Sequence, residues 1–413
     1  MKTFEQLYKE VLNHKISLND PLPPEYHPYH LDCLLNPHNY APVVFNESCE
    51  KCEYERACQN SCIFDAIDEG EDGKLRINPD LCTGCEACID ACRSEKITAG
   101  KDALAAMKAV READGPVYML VAPAFLGQFK KDVTPGKLRT AFQALGFTGM
   151  VEVALMADVL TLKEALEFDK HVLEVGDYQL TSCCCPIWIA MIRKIYHELM
   201  PHVPGAVSPM IACGRMVKLL HPDAVTVFAG PCLAKKSEAR EPDIAGAVDY
   251  VLTFQEVQDI FEAADIHPEE MADNEKEHSS RAGRIYARTG GVSEAVRETT
   301  LQLRPDRKIK VQAEQADGIP ACREMIKRIQ NKETEANFFE GMGCPGGCVG
   351  GPKAILDREE GRRYVNEYGD SALFATPLEN PYVMKLLEES GFDRIEDLIE
   401  KSDWLVRDFS ADV

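Results

Sequence analysis

Seventeen cysteines dominate the chemistry open to this 413-residue chain. Eight fall between residues 49 and 92. The first group is Cys49, Cys52, Cys58 and Cys62; the second is Cys82, Cys85, Cys88 and Cys92, spaced C-x2-C-x2-C-x3-C. In a reducing compartment clustered thiols serve as metal ligands more readily than as disulfides. Three closely spaced thiolates can wrap three corners of an iron–sulfur cube, while the displaced fourth reaches another one. Eight thiolates could also build two all-cysteine zinc sites. The crossed spacing favours iron–sulfur.

More cysteines lie in three later loops. "TSCCCPIW" (181–188) sets Cys183, Cys184 and Cys185 ahead of Pro186, "GPCLAKKSEA" (230–239) carries Cys232, Lys235 and Glu238, and "EGMGCPGGCVGGP" (340–352) carries Met342, Cys344 and Cys348. Thiols so far apart can converge only through the fold, and the glycines would let backbone approach a bulky inorganic cluster. The third loop also reads G-x-G-x-x-G, but Cys344 and Pro345 occupy it, so the dinucleotide reading is weak. "KEALEF" puts Glu164 and Glu167 on one helical face, at i and i+3. His27, His30, Cys33 and His38 sit together in a proline-rich stretch. Their spacing fits no zinc pattern, so the expectation there is a surface-wrapping segment.

Elements must hold these groups. "VYMLVAP", "MVEVAL", "AVTVFAG", "VDYVLT" and "KIKVQAE" are short runs rich in β-branched residues, and "TLKEALEFDKHVLEV" and "FQEVQDIFEAA" are longer periodic stretches between them. Such alternation predicts α/β layers. "EMADNEKEHSSRAG" reads as an exposed loop, and the tail from Asn380 as two helices broken at Gly391. The expected divisions are a 1–44 N-terminal segment, a 45–100 thiol module, a 101–360 catalytic α/β domain and a 361–413 helical segment. With 46 Lys plus Arg against 68 Asp plus Glu, the net charge is −22. That excess repels nucleic acid and anionic lipid. No apolar run is long enough to span a bilayer and no signal peptide is evident. A cytoplasmic protein is the expectation.

The 49–92 stretch resembles a two-cluster ferredoxin. The resemblance implies Cys49, Cys52, Cys58 and Cys92 on one 4Fe–4S cluster, and Cys82, Cys85, Cys88 and Cys62 on the other. Five residues separate Cys52 from Cys58 where the usual motif has two, and Ile63 and Arg93 stand where proline is usual. The three later loops together resemble the signatures of the iron-only (FeFe) hydrogenases, T-S-C-C-P-x-W, P-C-x-x-K-x-x-E and E-x-M-x-C-x-x-G-C, the first with one extra cysteine. "VAPAF" (121–125) and "RTGGVSEAV" (288–296) also resemble family segments. A short, divergent, group B-like member is implied. Its fold would be the ferredoxin-like domain followed by an H-cluster domain of two α/β halves with parallel-type sheets.

The resemblance implies an H-cluster, a 4Fe–4S cube joined by a cysteine to a two-iron unit carrying CO, cyanide and azadithiolate. Cys185, Cys232, Cys344 and Cys348 would hold the cube, with Cys348 bridging. Lys235 would donate to a cyanide, and Met342, Glu238 and Ala124 would line or support the cofactor. In the family pattern the cysteine before proline ligates and its neighbour relays protons. Counting from Pro186 makes Cys185 the ligand and Cys184 the relay; counting from Thr181 would choose Cys184 and Cys183. Glu164 lies twenty residues before Cys184, the family spacing, and supports the first register. Glu164 and Glu167 would pass protons outward. The family's relay serine maps to Pro204 and its arginine to His171, so Cys213 or a water chain would have to substitute. Cys183 is then surplus, either tuning oxygen sensitivity or filling space. Implied partners are H2, protons, a ferredoxin-like carrier and the enzymes that mature the two-iron unit. A redox sensor and an iron–sulfur assembly protein on the same scaffold stand as rivals.

Overall fold

The computed structural model describes residues 1–47, 49, 52, 54–181, 184–274, 276, 278–407 and 409; Cys183 lies outside them. Among the described residues the strands are β1 (Val43–Phe45), β2 (Ile67–Glu69), β3 (Leu75–Ile77), β4 (Ile97–Ala99), β5 (Val117–Val121), β6 (Gly149–Glu152), β7 (Gln179–Leu180), β8 (Val225–Gly230), β9 (Tyr250–Thr253), β10 (Ala313–Asp317) and β11 (Phe338–Met342). One all-parallel sheet has the order β6-β5-β8-β9 and a second the order β10-β11-β7. The thiol module holds two antiparallel pairs, β1 with β4 and β2 with β3. The chain is therefore α/β, with two parallel-sheeted halves behind a small cysteine-rich module.

Each sheet has its own apolar core. Met119, Leu120, Val121, Val227 and Val251 are buried in the first. Leu180, Trp188, Phe338 and Phe339 are buried in the second. Parallel strands covered on both faces read as unbroken apolar runs, which is why β5 and β8 were visible in the sequence. The N-terminal helices Phe4–Leu12 and Pro28–Leu35 bury Phe4, Leu7, Tyr8 and Leu34 in the first core. β1 spans the expected division at 44/45, and the helix Arg358–Asp370 spans that at 360/361.

Several expectations shift. The run "KIKVQAE" carries its strand later, at β10, because the Asn337 side chain takes the bonds a ladder would use. Its Nδ2 donates to Lys310 O (3.0 Å) and its Oδ1 accepts from Gln312 N (2.8 Å). The periodic stretch at 161–175 is the end of a longer helix, Ala154–His171. The stretch expected as an exposed loop ends buried, at Ser279, Ser280 and Gly283. The tail breaks at Gly391 as expected, between helices Pro381–Glu389 and Asp397–Glu400.

Candidate active site

The three later loops all leave the carboxyl end of a parallel strand. Cys184 and Cys185 follow β7, Cys232 follows β8, and Cys344 and Cys348 follow β11. Open parallel sheets bind ligands at such ends. Here the ends of both sheets meet around one enclosed, mostly apolar chamber of about 60 Å³. Ala122 and Pro123 enter from β5, Pro231 and Cys232 from β8, Met342 from β11, with Cys184, Cys348 and Lys235 beside them.

Cys185, Cys232, Cys344 and Cys348 come together next to this chamber. Burial, then the charge of the neighbouring thiols, pushes Cys232 and Cys348 up to about 12, and Cys344 well above its ordinary range. Thiols this close, without a metal, keep their protons, and a cluster must displace them. Zinc, with Zn–S bonds of about 2.3 Å, would draw four sulfurs to within about 4 Å of one another. An iron–sulfur cube holds its four sulfurs farther apart, and four buried thiols that feel one another are a donor set it accepts. The Gly343 amide donates to Cys185 Sγ at 3.2 Å, which ties the third loop to the first.

The motif residues that are not ligands hold the loops. The Trp188 ring is fully buried against Gly341, where a Cβ would stand 2.1 Å from the ring. Glu340 caps the helix Gly291–Leu303: Oε1 accepts from Gly290 N (2.7 Å) and Oε2 from Ser293 N (2.7 Å). That bond ties "RTGGVSEAV" to the third loop.

Chamber chemistry is sparse. Lys235 is its buried cation, and its Nζ donates to Glu238 Oε2 at 2.6 Å. Burial alone would lower the Lys235 pKa; Glu238 and the thiols of Cys232 and Cys348 hold it above its ordinary value. Burial, followed by Cys185, Glu340 and Glu164, drives the Cys184 thiol well above its usual range, so it is an S–H at neutral pH. Apolar walls, one cation and one thiol donor fit a small anionic inorganic unit with acceptor groups. Ala124 corrects an expectation: it is buried, but its carbonyl accepts from Gln128 Nε2 within its own turn, and Ala122 and Pro123 form the wall instead. Tyr286, Met210 and Pro209 also line the chamber and carried no signal in the sequence. Glu164 is buried behind Cys184, and Glu167 lies one turn farther out. Cys213 sits in the apolar core; its pKa is about 12 through burial alone, with no charged group acting on it.

In the module the thiols act on one another within the expected sets and, from Cys58 to Cys88, across them. Cys49 and Cys58 feel Cys52 and Cys92, whereas Cys82, Cys85 and Cys88 feel Cys62. Cys62, Cys82, Cys85 and Cys88 surround an enclosed space of about 20 Å³. The loop bearing this second set docks on the helix that follows Cys232. Ser237 Oγ donates to Cys82 O (2.9 Å), and Lys353 Nζ pairs with the buried Glu86 (3.0 Å).

Comparisons with known proteins agree with this geometry. Residues 115–352 match the model of the iron only hydrogenase large subunit, C-terminal domain, and residues 75–95 match a 4Fe-4S binding domain. The NADP-reducing hydrogenase subunit HndD of Solidesulfovibrio fructosivorans is 25% identical over 82% of this chain and 70% of its own length. A probable cytosolic Fe-S cluster assembly factor of Drosophila melanogaster is 23% identical over 70% of this chain and 75% of its own. A solved structure of FeFe-hydrogenase HydA1 from Chlamydomonas reinhardtii shares the fold, with a TM-score of 0.62 at 22% identity over 74% of this chain and 98% of that one. Among the described residues no helix is long and apolar enough to cross a membrane.

Proposed function

The chain belongs to the iron-only hydrogenase large-subunit family, and from that premise we propose that it interconverts H2 with two protons and two electrons. Cys185, Cys232, Cys344 and Cys348 would hold a 4Fe–4S cube, and Cys348 would also hold a two-iron unit in the chamber. When bound, that unit supplies the heterolytic splitting of H2. Cys184, an S–H beside it, exchanges the proton, and Glu164 and Glu167 connect Cys184 to the outside. Lys235, fixed by Glu238, donates to an anionic ligand, and Met342 shapes the wall. Cys49, Cys52, Cys58 and Cys92, and then Cys82, Cys85, Cys88 and Cys62, hold two more 4Fe–4S clusters that carry electrons to and from a ferredoxin-like carrier. Maturation enzymes deliver the two-iron unit.

The observation that carries this reading is the mostly apolar chamber itself, with a buried cation and a thiol donor beside Cys348. A sensor would keep the chamber and turn over slowly. The test is anaerobic loading with a synthetic two-iron cofactor, followed by infrared spectroscopy and an H2 assay. CO and cyanide bands together with turnover support the enzyme; absence of the bands sinks it; bands without turnover favour the sensor.

A further inference from the structure

Glu86 stands between two sets of thiols and belongs to neither. It lies in the loop between Cys85 and Cys88, in the left-handed region at φ +66°, where a glycine would sit without strain. The side chain kept there is large, charged and only 4% exposed. Its Oε2 pairs with Lys353 Nζ at 3.0 Å, and among the described residues its Oε1 has no hydrogen-bond partner. Backbone strain costs stability and a buried ion pair returns little of it. The pair therefore points to a task other than holding the fold.

Glu86 faces both sets. It is part of the wall around the enclosed space among Cys62, Cys82, Cys85 and Cys88. Its charge also reaches across the dock to Cys344, where it acts after Cys232, Cys185 and Cys348. Lys353 is not part of that wall. It follows the third loop, and its own amide donates to Pro231 O at 3.0 Å, next to Cys232. Its Nζ then crosses to the module. Two thiol sets thus share one buried anion, whose counter-charge comes from the catalytic half.

Resting on the hydrogenase reading, we propose that Glu86 sets the step in potential between the second module cluster and the catalytic cube. An anion in a poorly screened interior opposes the arrival of an electron, and the opposition weakens with distance. Glu86 borders the module's space but acts on the cube's thiols only across the dock. It therefore lowers the potential of the module cluster more than that of the cube. An electron given by a ferredoxin-like carrier is driven inward: the second cluster is oxidised by one electron, the cube is reduced by one, and no bond forms or breaks. Lys353 trims the effect and keeps the anion paired. The step favours H2 formation over H2 oxidation.

The step can be read without turnover. The full chain, carrying its cubes but no two-iron unit, is titrated against potential and followed by electron paramagnetic resonance. The three signals are told apart by which one is lost in Cys58→Ala, Cys85→Ala or Cys344→Ala. In Glu86→Gln the oxidised-to-reduced ratio of the second cluster at a fixed potential should fall about tenfold, a rise of about 59 mV for one electron. The cube should move the same way by less, and the first cluster should stay within about twofold. Adding Lys353→Gln should take back part of the rise, because a cation then goes as well; a merely structural role would add a second fault instead. If Glu86→Gln loses its iron, the double variant, which leaves no member of the pair charged, is read alone, and its second cluster should still rise. Unchanged potentials, equal shifts in all three clusters, a rise that Lys353→Gln enlarges, or loss of iron from both variants overturns the proposal. Failure of the hydrogenase reading shows separately, as missing CO and cyanide bands after cofactor loading.

Discussion

Glu340 carries a charge in a strand whose five residues are all buried. Burial pushes its pKa above the ordinary carboxylate range, yet Gly290 and Ser293 together give it three donors, the third being the Ser293 hydroxyl at 2.8 Å. A helix N-terminus leaves amides unpaired and favours an anion there. Glu340→Ala would strand those buried donors and should cost about 3–5 kcal/mol in chemical denaturation. A loss below about 1 kcal/mol would show that the cap is not holding the third loop. Residues of this kind explain what the sequence could and could not disclose about the site. The thiol ligands were legible because cluster-binding spacing is local. Lys235, Glu238 and Met342 were legible because they share loops with those thiols. Tyr286 and Met210 lie in stretches where nothing local marks them, and only the meeting of two sheets gives them a site. Ala124 was misplaced because a motif fixes a turn without fixing which of its residues faces the cavity.

The helix Ala154–His171 carries both glutamates, and nearly every residue in its first three turns is buried. A helix covered on all sides loses its amphipathic stripe, so its first two residues read as the end of the strand run "MVEVAL" and only the part from Thr161 read as a helix. β11 was missed for the converse reason, since Glu340 and Gly341 broke its apolar pattern. β5 and β8 had no such interruption. What anchors the long helix is Asp158, which accepts from Ser280 N (2.6 Å), the Ser280 hydroxyl and Gly283 N (2.8 Å). Burial outweighs those donors and raises its pKa to about 6. In the unfolded chain the value is about 3.9. Between about pH 4 and pH 6 the folded chain therefore holds a proton that the unfolded chain has released. The contribution of this group to stability is greatest below about pH 4, falls as pH rises through about 6, and totals about 3 kcal/mol. Asp158→Asn does not titrate. Denaturation measured on both proteins should show wild type losing ground to the variant across that window and running parallel above it. A constant difference from pH 4 to pH 7 would mean that the anchor is ionised throughout.

At the scale of the molecule, the proposed function has electrons cross from the thiol module to the cube, and the module meets the helix after Cys232 through backbone. Gly84 has a φ of +73°, and a Cβ there would stand 3.0 Å from Ala234 Cα. Gly84→Ala adds strain of about 1–2 kcal/mol at the turn and pushes the module off its dock. Both clusters should persist by iron analysis, while the magnetic coupling between them when reduced weakens; unchanged coupling would place the electron path elsewhere. A carrier, on the proposed function, would dock beyond the module, and there the whole charge matters. Cys52 is exposed while Cys58 is buried, so the first set of thiols reaches the module's surface at Cys52, on a chain of net charge −22. A field of that sign concentrates cationic carriers and repels anionic ones. With a cationic bipyridinium dye and a sulfonated anionic dye of similar potential, reduction at ~0.01 M salt should favour the cation, because the Debye length is then about 30 Å. By ~1 M salt, with screening over about 3 Å, the ratio should fall towards one. A ratio indifferent to salt would mean that the surface around Cys52 is locally neutral and that a carrier docks by shape, so the natural partner would need no basic patch.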